Sequence, residues 1–120
     1  MGILVVDDEE DICLLISTFL KKSGIKVESS LSVVEAEKLL ESKDFDLHFL
    51  DLNLPDGTGF DLISQINEKG KDTGVVMMSA YDSEEDIQKA MDLGVDLFLK
   101  KPFSKSQILN AVDTLYSDKQ

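Results

Sequence analysis

Five short apolar runs alternate along the chain with five stretches in which apolar residues recur every three or four positions. The runs are Ile3–Val6, Lys26–Ser29, Leu47–Asp51, Gly74–Met78 and Leu97–Lys100. The first, third and fourth are almost continuously apolar, as expected of strands covered on both faces. The second, reading Lys-Val-Glu-Ser, is the weakest. The helical stretches carry clear punctuation. Helix one is expected over about Asp11–Lys22, with Gly24 as its stop. Ser32 with Glu35 has capping-box spacing and opens helix two, and Ser104 with Gln107 does the same for helix five. Helix three follows Gly59 and places Phe60, Ile63 and Ile66 at core spacing. Ser83 caps helix four, Glu84, Glu85 and Asp86 suit its positive end, and Gly94 ends it. Such strict alternation predicts an α/β fold, a parallel sheet with right-handed crossovers and helices on both faces.

Composition narrows the class. A chain of 120 residues has room for one core, so residues 1–120 are expected to form a single domain. Its net charge is −12, and every basic residue is a lysine. That balance argues against direct nucleic-acid contact, which needs a basic footprint. It suits a bound cation or partners with basic surfaces. No apolar stretch has the length of a membrane span. The single Cys13 excludes an internal disulfide, fits a reducing compartment, and sits among Ile12, Leu14 and Leu15 as a small core residue.

The chemistry gathers at strand ends. Ile-Leu-Val-Val runs into Asp7-Asp8, the third strand ends in Asp51, the fourth leads to Ser79, and the fifth leads through Lys100 to Lys101. In open parallel sheets the site lies beyond the C-terminal strand edge, where all of these collect. Carboxylates brought together there repel unless a cation joins them. Mg²⁺ is the natural partner for hard carboxylate oxygens, with Mn²⁺ as the alternative. A second His or a Cys pair, which a zinc site would need, is missing from the sequence. An aspartate can be the nucleophile in phosphoryl transfer, a reaction that needs charge placed around the equatorial oxygens more than acid–base chemistry. A lysine ammonium and a serine hydroxyl are suitable donors.

The ordered set VVDDEED, FLDLNLPDGTG, VMMSAYDS and LFLKKPF resembles the receiver domain of two-component response regulators, over essentially the whole chain. The resemblance implies a flavodoxin-like, doubly wound five-stranded sheet in order 2-1-3-4-5 with five helices. It makes Asp51 the phosphoacceptor, charged by a sensor histidine kinase or a histidine phosphotransfer protein. Asp8 and Asp51 would ligate Mg²⁺ directly, Asp7 through water, and Asn53 through its backbone carbonyl. Lys101 would contact the phosphoryl group. Ser79 and Phe98 would form the switch, where many relatives have Tyr at the position of Phe98. Asn53 and Tyr81 would tune phosphoryl lifetime, and Lys101-Pro102 would be a cis peptide. The resemblance further implies a cytoplasmic protein that catalyses only its own phosphorylation and dephosphorylation. Its output would pass to a domain or protein at the face formed by helix four, strand five and helix five. Whether the chain stands alone or belongs to a longer regulator is open at this point.

Plainer readings apply to several residues. His48 lies mid-strand and out of phase with Asp51, as a core histidine would. Lys100 has the opposite phase from Lys101 and reads as solvated. Glu9, Glu10 and Asp11 read as a solvated helix entry. A phosphatase of the haloacid-dehalogenase type would want a second Asp where Asn53 stands. A flavodoxin would want a Ser/Thr/Gly phosphate loop where Asp7-Asp8-Glu9-Glu10-Asp11 stands.

Overall fold

In the computed structural model the described residues are 2–70, 72–81 and 83–118, the side chains from 116 onward excepted. Met1, Lys71 and residues 119–120 of the expected domain, and Asp82 of the third motif, lie outside them. The three continuous apolar runs become β1 (Gly2–Val6), β3 (Leu47–Asp51) and β6 (Gly74–Ser79), which occupy the middle of the sheet. The polar run forms β2 (Lys26–Ser30) at one edge, and β7 (Leu97–Lys100) forms the other. All neighbours pair in parallel, in the order β2-β1-β3-β6-β7. Counted over the five expected strands, this is the order 2-1-3-4-5. The intervening numbers belong to a hairpin that periodicity did not predict, β4 (Asn53–Leu54) against β5 (Gly57–Thr58).

Strand alternation divides the core into two layers. Leu4, Val6, Leu50, Val75 and Met77 face α2 (Val33–Ser42), α3 (Phe60–Glu68) and α4 (Glu84–Asp92). Ile3, Val5, Leu47, Phe49, Val76 and Met78 face α1 (Glu10–Lys21) and α5 (Lys105–Asp118). The helix ends follow the expected chemistry. Ser32, Ser83 and Ser104 each accept the N–H three residues on, at 3.1–3.2 Å, and the Gln107 side-chain Oε1 accepts the Ser104 N–H in return at 2.8 Å. Gly24 and Gly94 take the positive φ angles of 77° and 89° that end α1 and α4. Helix α1 starts one residue earlier than periodicity indicated, with Glu9 as its N-cap.

His48 is buried, and its Nδ1 donates to the Gly74 carbonyl at 2.9 Å. Burial lowers its pKa, so the ring is neutral. Cys13 donates its thiol to the Asp7 carbonyl at 3.4 Å, and burial, reinforced by Asp7, pushes that thiol up to about 11. No described helix is long and apolar enough to cross a membrane.

Candidate functional site

Asp7 continues the strand phase of Ile3 and Val5, Asp51 that of Leu47 and Phe49, and Lys101 that of Leu97 and Leu99. Parallel register puts Asp7 beside Asp51, and Lys101 follows β7 across the intervening β6, all three on the α1/α5 side of the sheet. Carboxylate oxygens of Asp7, Asp8 and Asp51 lie within 4.8 Å of one another. Asp7 is fully buried, Asp51 is 5 % exposed, and Asp8 is exposed. Lys101 Nζ stands 2.7 Å from Asp7 Oδ2, 3.3 Å from Asp51 Oδ2 and 3.2 Å from Glu9 Oε2.

The electrostatics follow from this packing. Burial, then the neighbouring Asp7 charge, raises the Asp51 carboxyl from its ordinary 3.8 to about 6, against the pull of Lys101 and of the Asn53 N–H. Burial alone would lower the Lys101 ammonium, but Asp7, Asp51 and Glu9 outweigh it and hold its pKa raised. Three carboxylates thus face a single ammonium at the centre of the cluster. The Asp7 Oδ2–Lys101 approach at 2.7 Å is a charge contact, and that buried oxygen has no aligned hydrogen-bond donor. A buried, incompletely satisfied oxygen among hard acidic ligands fits a divalent cation such as Mg²⁺.

The loop after Asp51 is fixed from several directions. The Asp51 Oδ1 accepts the Asn53 N–H at 3.3 Å, and the Leu52 N–H reaches the Met78 carbonyl at 2.8 Å. A Cβ on Gly59 would stand 2.6 Å from the Asp51 carbonyl oxygen and 3.0 Å from Met77 Sδ, so only glycine lets the start of α3 come this close. Asp56 accepts the N–H groups of Val33 and Val34 at 2.8 and 3.0 Å, capping α2 from the other side of the site. Those bonds hold its carboxyl below the usual range.

The other residues singled out in the sequence lie around this cluster. Ser79 ends β6, is fully buried, and its Oγ accepts the Tyr81 N–H at 3.1 Å. Its carbonyl accepts the Lys101 N–H at 2.7 Å. Asn53 is exposed and Tyr81 is 71 % exposed. Phe98 is half-buried and packs on the α2–α4 side of the core, away from the acids. The Lys101-Pro102 peptide is cis. Two contributors were missed in the sequence. Glu9, read as a solvated helix entry, reaches Lys101. Asp56 capped nothing local, because its partners lie 22 and 23 residues upstream. At the opposite sheet edge, a cavity of about 420 Å³ lined by Gly2, Lys26, Glu28, Lys43, Phe45 and Asp46 is remote from these groups.

Comparison with known proteins agrees with this fold. The family model of the response regulator receiver domain matches residues 3–113. The response regulator SaeR of Staphylococcus aureus is 34 % identical over 113 residues, covering 94 % of this chain and 49 % of SaeR. The chain therefore spans about half the length of the curated relatives it matches. A CheY-like receiver domain protein of Methanospirillum hungatei superposes with a TM-score of 0.92 over 98 % of this chain and 94 % of its own, at 24 % identity. A response regulator of Burkholderia pseudomallei, solved with a phosphorylated aspartic acid, a calcium ion and citrate, gives 0.83 over 98 % and 72 %, at 26 % identity. With a family match across nearly its whole length and the strand-end acids and lysine in place, this chain belongs to the receiver domains of two-component response regulators.

Proposed function

We propose that Asp51 accepts a phosphoryl group from a histidine-phosphorylated partner, a sensor histidine kinase or a histidine phosphotransfer protein. The observation that carries this reading is the buried Asp51 carboxylate held between Lys101 and the Asp7-Asp8 pair. The Burkholderia relative solved with a phosphorylated aspartic acid supports it. With a pKa of about 6, Asp51 is mostly ionised at neutral pH and therefore competent as a nucleophile. A carboxylate oxygen attacks phosphorus, the O–P bond forms as the P–N bond to the donor imidazole breaks, and the imidazole leaves with the electron pair. Lys101, already within reach of Asp51, moves its ammonium onto the phosphoryl oxygens. Asp8, Asp51, the Asn53 carbonyl and, through water, Asp7 would hold Mg²⁺ or Mn²⁺. Such an ion neutralises charge on the phosphoryl oxygens and orients them.

The product dianion is the signal. Each charge-assisted bond it gains from Lys101 or Ser79 is worth about 1.5–3 kcal/mol before desolvation, enough to bias a poised equilibrium. Ser79 turning from the Tyr81 N–H towards the phosphoryl group would free the Tyr81 segment, and Phe98 at the edge of the core would repack. Phe98 has no hydroxyl, so this readout rests on packing alone. Asn53 and exposed Tyr81 flank the acceptor and would set phosphoryl lifetime. The output partner or domain would read the face of α4, β7 and α5. Residues 1–120 would act as one receiver domain in the cytoplasm, making no nucleic-acid or membrane contact of their own and catalysing only their own phosphorylation and dephosphorylation.

Intact mass after incubation with acetyl phosphate tests the assignment. A single Mg²⁺-dependent phosphoryl adduct is expected on the wild type and none on Asp51→Asn. An equal adduct on the variant, or continuous turnover of the donor without an adduct, would overturn it.

A further inference from the structure

Glu9 breaks a local rule. It is the N-cap of α1, a position that favours Ser, Thr, Asp or Asn, and its side chain makes no capping bond. Its backbone is nonetheless tightly placed. The Glu9 N–H donates to Asp7 Oδ1 at 2.9 Å, and its carbonyl accepts from the Ile12 and Cys13 N–H groups at 3.0 and 3.3 Å. The carboxylate that could not cap the helix goes instead to Lys101 Nζ, at 3.2 Å. An ammonium has three N–H donors. Lys101 donates to Glu9 and Asp51, at 3.2 and 3.3 Å, and stands in charge contact with Asp7 at 2.7 Å. Asp7 and Asp51 are buried, whereas the Glu9 side chain is 60 % exposed.

We infer that Glu9 is a positioning residue that restrains phosphoryl transfer by competing with the incoming anionic donor for Lys101. The inference rests on the phosphoacceptor reading of Asp51. A donor must displace Glu9 from one N–H of the ammonium and approach its negative charge, so Glu9 weakens donor binding without entering the chemical step. Length matters as much as charge. An aspartate at this position keeps the charge and caps α1, but its shorter side chain no longer spans to Lys101.

The test is phosphorylation by acetyl phosphate at saturating Mg²⁺, followed by intact mass, for wild type, Glu9→Ala and Glu9→Asp. Both variants should lower the donor concentration at half-maximal rate by about two- to fivefold, as loss of a partly exposed ion pair implies, with the maximal rate unchanged. Glu9→Asp should also raise the denaturant midpoint through its new cap, separating the kinetic role from a structural one. Wild-type half-saturation in both variants, with the wild type phosphorylated normally, would overturn the inference and leave Asp51 as acceptor intact. Recovery of wild-type kinetics in Glu9→Asp alone would overturn the competition for Lys101 in favour of a helix-entry role. An unmodified wild type would overturn the phosphoacceptor reading and this inference together.

Discussion

Ionising Asp51 works against folding, and Asp51→Asn measures by how much. Burial and the Asp7 charge raise the carboxyl from 3.8 to about 6, a value already net of the attraction of Lys101 and the Asn53 N–H. At 1.36 kcal/mol for each pKa unit, holding Asp51 ionised at neutral pH costs at most about 3 kcal/mol relative to the unfolded chain. Asparagine has the shape of the neutral acid and avoids that cost. In metal-free buffer at pH 7.5 the variant should be more stable by about 1–3 kcal/mol, read as a higher denaturant midpoint at constant slope. The sign of the pH dependence is fixed by the raised pKa. The folded protein binds more protons than the unfolded chain between pH 3.8 and about 6, so wild-type stability from this group falls as pH rises through that window. The gain of the variant should therefore vanish near pH 4 and plateau above pH 6. Mg²⁺ at ten times its dissociation constant should return about 1.4 kcal/mol to the wild type and much less to the variant. A variant less stable than wild type at pH 7.5, or a gain independent of pH, would refute the reasoning.

Other expectations concern the scaffold around the acceptor. His48 is neutral and buried when folded, so the unfolded chain takes up the extra proton below pH 6.5 and stability falls as pH drops through that value. Chemical denaturation at pH 7.5 and 5.5 should show a smaller loss for His48→Gln, and equal losses would contradict a buried neutral ring. Gly59→Ala should cost about 1–3 kcal/mol by thermal or chemical melting, because the added methyl meets backbone at Asp51. Slower phosphorylation should accompany it, and a variant with wild-type stability would show that the loop yields more easily than its contacts suggest. Asp56→Ala removes both acceptors from the first turn of α2, so amide exchange at Val33 and Val34 should accelerate while β1 and β3 stay protected. Unchanged exchange at those two amides would mean that Ser32 suffices.

Most of the architecture was legible because burial on both faces leaves a simple trace. β1, β3 and β6 are runs of apolar residues, and the three serine caps act on residues three positions away, within the reach of sequence inspection. β2 was faint because an edge strand keeps polar residues on its half-exposed positions. The β4–β5 hairpin was invisible, since two-residue strands have no period to detect. The acids and the lysine were found from their places at strand ends. Their mutual distances depend on parallel register, which no local pattern encodes. Glu9 and Asp56 escaped for the same reason: each spends its side chain on an element distant in sequence.

The Asp56 cap makes one carboxylate common property of two elements. The Val33 and Val34 N–H groups of α2 keep their acceptors only while the loop after Asp51 holds its present position, and by reciprocity the folded turn helps to hold that loop. Any shift of the acceptor loop is thereby converted into fraying or tightening at the start of α2, on the flank opposite the α4–β7–α5 face. A chain with this bridge has a second place where the state of its acceptor is written, in the backbone protection of a helix that never touches the phosphoryl group.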